Sequence, residues 1–326
     1  MAALDCRHLK QDAQDRLGRI SGDPRLLILL YTGVMVLLNL LVSGLNVYLD
    51  RQIGTTGGLS GLGARSILES IQSILSYMTV LFTPFWSAGF LYSVIQIARS
   101  GRSDPKFMLE GFRRFPSIIV FNLNRTLLTF FAATMVTYVA SYIFMMTPFS
   151  RELEQVLASV MQEGSILSSG GVIDLQAISP DVLLRASIPL FVIFFVLFVP
   201  VYAFLSYSLR LGSYLVMQGP RMGGFAAMML SFRMMKGHRF QMFKLDLSFW
   251  WYYLVEGLLT LILYLDLLLP LFGIALPFDA TVLFFVKLIV YSGCQILFHL
   301  WKKLPVDTTY VLSYDAITSE HQLPRM

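Results

Sequence analysis

Four ionisable side chains lie inside stretches of the sequence that are otherwise apolar. They are Arg125, Glu256, Asp266 and Lys287. A charge at the centre of a membrane helix costs about 3 kcal/mol, so such groups face protein or water rather than lipid. One interpretation is a polar relay or a contact for a substrate, and the other is two structural pairs that lock helices together. The sequence leaves both open.

The spacing of these four residues predicts how they pair. Asp266 and Lys287 are equally far from the midpoint of the turn that joins two apolar stretches. An antiparallel helical hairpin would place them at the same depth, and we predict that they form an ion pair. Arg125 and Glu256 each follow the start of an apolar stretch by several residues. We expect them to meet near one boundary of the membrane.

Motifs for metal binding or catalysis are absent from the sequence. His238 and His299 lack partners at the spacing of metal ligands. There is also no phosphate-binding glycine loop with a lysine and no nucleophile elbow. We therefore expect no metal, no cofactor and no enzymatic activity. Asp246, His238 and Arg239 come nearest to a group of catalytic side chains at a membrane surface.

The composition is that of an integral membrane protein. Hydrophobic residues make up 56% of the chain and charged residues 14%, and the mean hydropathy is +0.66. The net charge of +5 comes from basic blocks between apolar stretches, without the basic groove and spaced aromatics of a nucleic-acid-binding protein. Membrane lipids with anionic headgroups are the expected partners of these blocks, together with an unknown protein partner, and nucleic acid is excluded.

Six apolar stretches are long enough to cross a bilayer. They cover about 26–49, 67–98, 117–146, 187–217, 249–274 and 280–301. We predict an all-α fold, a polytopic bundle of six transmembrane helices over residues 26–304. Residues 1–25 form an amphipathic segment, and residues 305–326 form a polar tail that we expect to be extended. Gly89, Gly257 and Gly293 are expected to allow close helix packing.

The distribution of lysine and arginine predicts the orientation. The N-terminal segment carries five of them, residues 99–114 five, residues 210–244 six and the C-terminal tail three. The segments on the opposite side carry four. Because cytoplasmic loops retain positive charge, we expect a multi-pass membrane protein with both termini in the cytoplasm.

Two amphipathic helices at the membrane surface mark an internal repeat. One covers residues 105–115 after an N-cap at Asp104, and the other covers 225–236 and ends at Gly237, where a glycine can adopt a left-handed conformation. Their ends, LEGFR and MLSFR, match in type, and each follows a span that contains a proline. A repeat in the same orientation implies a twofold pseudo-axis along the membrane normal. Ordinary amphipathic connectors are the alternative for both helices.

The second helix leads into the motif SFRMMKGHRFQMFKLDLSFWW. This motif resembles the hallmark of a bacterial membrane family catalogued as domain of unknown function nine hundred and seventy-five. The positions that carry the resemblance are Ser231, Met234, Met235, Lys236, Gly237, Phe243, Leu245, Leu247, Ser248, Phe249 and Trp251. The six-span layout extends the resemblance over nearly the whole chain.

The end of the chain departs from that family. The family tends to carry a proline-tyrosine and further tyrosines near the last span, whereas Tyr310 and Tyr314 lie beyond the span expected here. More distantly, the layout resembles the membrane domain of glycerophosphoryl diester phosphodiesterases, without room for their catalytic barrel. Neither resemblance implies a reaction.

Three functions remain open from the sequence. The first is a non-enzymatic, transport-related or membrane-assembly component built on the duplicated core. The second is a permease-like subunit that works with a separate ATPase, which would dock on the helices at residues 105–115 and 225–236. The third is an integral membrane enzyme that modifies lipids.

Overall fold

The computed structural model describes residues 5–55, 62–151, 180–219, 222–265 and 280–320. All the elements named in these residues are helices. They are α1 (Cys6–Leu17), α2 (Pro24–Thr55), α3 (Leu62–Ser100), the 3-10 helix η1 (Pro105–Leu109), α4 (Glu110–Arg113), α5 (Phe115–Met145), α6 (Pro180–Gln218), α7 (Gly224–Met234), α8 (Arg239–Ser248), α9 (Trp250–Leu263) and α10 (Ala280–Glu320).

Five of the described helices, α2, α3, α5, α6 and α10, are long and apolar enough to cross a membrane. The expected all-α membrane helix bundle is therefore confirmed. The span expected at 249–274 corresponds to the shorter apolar helix α9, and residues 266–279 lie outside the described part of the chain. The count of six spans and the internal repeat stay predictions.

The described residues form two compact units. The first contains the residues up to Asn122 together with those from Arg210 onward, and the second is Leu123–Leu209. In the second unit, α5 and α6 present mostly apolar side chains to their surroundings, and the most apolar part of α6 has no buried residue. Apolar surface of this kind requires lipid or further helices to cover it.

Three long helices form the centre of the first unit. The helices α2, α3 and α10 pack on one another, and α9 packs on α10. The N-terminal helix α1 packs on α10 and α3. The segments after α1 and α3 also join, because the amide of Ser21 donates to the carbonyl of Gly101 at 2.8 Å and the amide of Ser103 donates to Ser21 at 3.3 Å.

A close backbone contact fixes η1 and α4 against α3. A Cβ atom on Gly89 would lie 1.9 Å from the carbonyl oxygen of Met108, and one on Gly111 would lie 2.1 Å from that of Phe85. The close approach expected at Gly89 is thus observed. At Gly257 and Gly293 a Cβ atom would meet no atom of the described residues within 4 Å, so close packing is not observed there.

The last helix, α10, continues to Glu320 with Pro305 inside it. The expectation of an extended polar tail from residue 305 was therefore wrong. Several hydroxyl groups in this part of α10 bond to their own helix, as when Thr309 donates to the carbonyl of Pro305 at 2.7 Å and Ser313 donates to that of Tyr310 at 2.7 Å. A polar sequence can therefore form a buried helix, because these donors do not require water.

Cations from neighbouring elements meet the C-terminal ends of three helices. Arg16 donates to the carbonyl of Ala98 in α3 at 2.6 Å, Lys10 donates to that of Ser248 in α8 at 2.7 Å, and Arg114 donates to three carbonyls at the end of α6. These positions complement the helix dipoles and occupy carbonyls that lack helical partners. Burial lowers the pKa of the Lys10 ammonium, against a smaller opposing effect from Cys6.

Candidate functional site

One group of polar side chains joins α6, α8, α9 and α10, and we call it the aspartate cluster. It consists of Arg210, Asp246, Tyr253 and Tyr310. Arg210 Nη1 donates to Asp246 Oδ2 at 2.6 Å, and the hydroxyl of Tyr310 donates to Asp246 Oδ1 at 2.6 Å. The hydroxyls of Tyr253 and Tyr310 are 2.7 Å apart. Both carboxylate oxygens therefore accept charged or phenolic donors from two other helices.

A second group ties α3 and α6 to α10 and consists of Arg99, Tyr214 and Asp315. Arg99 Nη2 donates to Asp315 Oδ1 at 2.5 Å and to the Tyr214 hydroxyl at 2.7 Å, while Tyr214 also donates to Asp315. The ring of Tyr314 stands between the two groups, 5.3 Å from the ring of Tyr214 and 6.5 Å from that of Tyr310. Residues 310–315 thus hold the end of α10 in place.

A cavity of about 500 Å³ opens beside Arg99, between α1, α3 and α10. Its polar lining includes His8, Asp12, Arg16, Arg99 and Asp315. The charges in this lining neutralise one another, since Arg16 binds Asp12 at 3.0 Å and Arg99 binds Asp315. The cavity therefore offers little unbalanced charge to a ligand.

A third group lies between α2, α9 and α10, and we call it the histidine cluster. It consists of Thr32, Tyr252, Glu256 and His299. The Nδ1 atom of His299 is 3.1 Å from Thr32 Oγ1, and its Nε2 atom is 3.1 Å from Glu256 Oε1. The hydroxyl of Tyr252 donates to the same Glu256 oxygen at 2.8 Å. An imidazole, a carboxyl and two hydroxyls thus form a continuous chain of hydrogen bonds.

A charged pair on α10 lies next to the histidine cluster. Lys303 Nζ is 3.5 Å from Asp307 Oδ2 and lies over the rings of Tyr31 and Phe90, at 5.2 Å and 5.4 Å from their centroids. The indole of Trp86 in α3 donates to the carbonyl of Tyr31 at 3.1 Å. The packing of α2 and α3 therefore shields this pair and its neighbours.

The four intramembrane charges of the sequence lie in different surroundings. Lys287 is buried and donates to the carbonyl of Leu263 at 3.1 Å, and Asp266 lies outside the described residues. Glu256 binds Tyr252 and His299 in the first unit, and Arg125 belongs to the second unit. Both proposed pairs, Asp266 with Lys287 and Arg125 with Glu256, stay predictions.

The motif residues divide into buried positions, a turn and an exposed face. Ser231, Met234, Met235 and Leu245 are buried, and Gly237 has a φ of +97°, the left-handed conformation expected where this segment ends. The Ser248 hydroxyl donates to Leu245 at 2.6 Å, and the Phe249 ring lies 5.8 Å from that of Tyr310. The exposed members are Lys236, Phe243, Leu247 and Trp251.

Residues 4–319 match the model of the family described as protein of unknown function (DUF975). The chain belongs to this family. Neither a curated protein nor a solved structure matches it. The resemblance found in the motif is therefore confirmed over almost the whole length, including the residues of α10 that follow the last expected span.

The structure shows where the two tyrosines near the end of the chain lie. Tyr310 and Tyr314 lie in the same helix as the last apolar stretch, with Pro305 between them and that stretch. A period of about 3.6 residues could have indicated this helix, because the buried residues Leu304, Thr308, Val311 and Tyr314 recur at helical spacing. His299 had no such signal, since its partners Thr32 and Glu256 are far away in sequence.

Proposed function

We propose that this DUF975 protein is a multi-pass membrane protein that serves as a non-enzymatic, transport-related or membrane-assembly component. The histidine cluster is the observation that carries the proposal. It places the chain from Thr32 through His299 to Glu256 between three apolar helices. Ionisable groups inside a membrane bundle are costly, and they commonly mark a path for ions or polar substrates.

The proposed location is the bacterial cytoplasmic membrane, with six spans and both termini in the cytoplasm. Contacts between the basic segments support this orientation. Lys10 reaches α8, Arg16 reaches the end of α3, and Arg99 reaches the end of α10. Segments that the charge distribution assigns to the same side are therefore joined to one another.

Anionic lipid headgroups are the proposed partners of the surface around α7 and α8. Exposed cations, Arg233, Lys236 and Lys244, alternate there with exposed aromatic rings. The rings are Phe225, Phe240, Phe243, Trp250 and Trp251. Aromatic side chains at the level of the headgroups, with cations beside them, are typical of a helix that lies in the membrane surface.

Two other functions are compatible with different parts of the chain. A permease-like subunit with a separate ATPase gains support from the exposed side chains of Leu109, Phe112, Phe225 and Met229 on the two proposed docking helices. A lipid-modifying enzyme gains none from Asp246, because both oxygens of that carboxylate accept from Arg210 and Tyr310. The subunit is therefore the second candidate.

Mass spectrometry of the protein extracted with its native membrane patch would test the proposal. A single lipid or small molecule bound in fixed proportion would support a transport-related or lipid-handling role. An ATPase in fixed proportion would instead support the subunit function, and conversion of added lipids by the pure protein would contradict the non-enzymatic role. The control is the variant Lys236→Ala with Lys244→Ala, which should lose anionic lipid and keep any protein partner.

A further inference from the structure

The imidazole of His299 is enclosed by three helices, with 5% of the residue exposed. Each ring nitrogen has one oxygen partner, Thr32 Oγ1 on α2 and Glu256 Oε1 on α9, both at 3.1 Å. Glu256 Oε1 also accepts from Tyr252 at 2.8 Å. The Glu256 side chain is 37% exposed, so the described residues leave this end of the cluster less enclosed than the imidazole.

These partners can hold two different numbers of protons without losing a hydrogen bond. With a neutral imidazole, the Thr32 hydroxyl donates to Nδ1, and Nε2–H donates to the carboxylate of Glu256. When a proton binds at Nδ1, the Thr32 hydroxyl rotates and accepts from Nδ1–H, while Nε2–H still donates to Glu256. Protonation forms one covalent N–H bond at Nδ1 and reverses the direction of the hydrogen bond to Thr32. Each nitrogen and oxygen keeps the same partner.

The neighbouring groups bear on the state in which His299 carries the additional proton. The charged groups near the cluster are Lys303 and Asp307 on α10. Among the described residues, the titratable hydroxyls around the cluster are those of Tyr31 on α2, Tyr252 and Tyr253 on α9 and Tyr291 on α10. The helix α3 contributes Trp86 and Ser87, which contact Tyr31 and do not titrate. The carboxyl oxygen of Glu256 lies 3.1 Å from Nε2 of His299, and a negative charge at that distance favours the imidazolium form.

We propose that the histidine cluster is a binding site for one exchangeable proton, carried by His299 and Glu256 and accommodated by rotation of the Thr32 hydroxyl. The site goes beyond the proposed transport-related role and does not depend on it, because proton uptake is a property of the protein alone. A protein without transport activity would still bind the proton.

The test is nuclear magnetic resonance of the full-length protein in lipid nanodiscs, with nitrogen-labelled histidine, between about pH 5 and 8. His299→Gln identifies the signals of His299. The expected result is that the signals of His299 pass from the imidazolium to the neutral form within this range. In Glu256→Gln the midpoint should fall by about one pH unit, equivalent to proton binding about tenfold weaker. In Thr32→Ser the wild-type behaviour should persist.

Two results would overturn the proposal. One is a His299 that stays in a single protonation state throughout the range in the wild-type protein, which requires no variant to fold. The other is a midpoint that is the same in Glu256→Gln and in the wild type. The exposed His8 on α1 is the internal control, because it lies outside the histidine cluster and its signals should be the same in every variant.

Discussion

The carboxylate of Asp246 on α8 connects this helix to α6 and α10 within the aspartate cluster. Its carboxylate accepts from Arg210 on α6 and from Tyr310 on α10, and the side chains of Arg210 and Asp246 are only about one-fifth exposed, at 22% and 20%. Removing one partner of a buried ion pair is strongly destabilising, because the other charge keeps its desolvation cost. The motif aspartate is therefore primarily a structural residue.

Asp246→Ala should lower the stability of the purified protein by about 3 kcal/mol, at the lower end of the range for buried pairs because water reaches the pair in part. The matched control is Asp12→Ala, which removes an exposed pair with Arg16 within α1 and should cost about 0.5 kcal/mol or less. The midpoint of thermal unfolding in detergent measures both. Equal midpoints for the two variants would show that the aspartate cluster contributes little.

Lys287 provides a separate test of a buried charge. Its ammonium is buried and bonds to the carbonyl of Leu263, which lies three residues before Asp266 in the sequence. If the predicted pair forms, Asp266→Ala should reduce the yield of folded protein, and adding Lys287→Ala should restore part of it. Size-exclusion chromatography after extraction measures the folded yield, and a double variant no better than Asp266→Ala would argue against the pair.

The sequence indicated Glu256 as a candidate site residue but gave no signal for the contacts of His299. A charged residue inside an apolar stretch is visible by its cost alone. His299 lacks a nearby partner in the sequence, because Thr32 and Glu256 lie on helices that meet it only after folding. Contacts across helices of this kind depend on rotation and depth, which hydropathy does not specify.

Among the helices, α10 shows that hydropathy alone does not predict where a helix ends. The apolar stretch ends near Trp301, yet the helix continues through residues 305–320, where Asp315 binds Arg99 and Tyr310 binds Asp246. The apolar helices were predictable because a bilayer imposes their length and composition. The end of α10 was not, because side chains such as Asp315 and Tyr310 bond to other helices, and hydropathy does not register such contacts.

Truncation of the chain after Lys303 should therefore prevent stable folding. It removes the partners of Arg99 and Asp246 and exposes the apolar surfaces on which residues 306–317 pack. The matched control is truncation after Glu320, which removes none of these contacts and should give wild-type yield. Fluorescence-detected size-exclusion chromatography of both truncations measures the difference, and a normal profile for the shorter chain would contradict a structural role for this segment.

The contact between α3 and η1 allows a cleaner comparison of two glycines. Gly89→Ala should destabilise the protein, because its Cβ atom would lie 1.9 Å from the carbonyl oxygen of Met108 and the backbone must move. Gly33→Ala in α2 is the control, since a Cβ atom there meets nothing within 4 Å, and alanine is the better helix former by about 1 kcal/mol. Thermal unfolding should rank Gly33→Ala at or above the wild type and Gly89→Ala below it. The reverse order would be inconsistent with the contact.

For the molecule as a whole, five of the described helices are long and apolar enough to cross a membrane. The first unit is held by buried polar clusters, whereas the second presents apolar side chains with few buried neighbours. Specific polar contacts fix the relative positions of helices in the first unit. The second unit depends on apolar surroundings for its stability, which is the expected behaviour of helices in lipid.

The proposed orientation gives a prediction for the intact protein. Arg51 at the end of α2 and Ser319 near the end of α10 are both exposed, and the orientation places them on opposite sides of the membrane. In a background without Cys6 and Cys294, a membrane-impermeant maleimide should label Ser319→Cys only in inside-out vesicles and Arg51→Cys only in right-side-out vesicles. Lysis of the vesicles should make both positions reactive and provides the control for accessibility. Labelling in the opposite pattern would invert the orientation. Labelling of both positions from one side would contradict the odd number of spans, five, that the proposed layout places between residues 51 and 319.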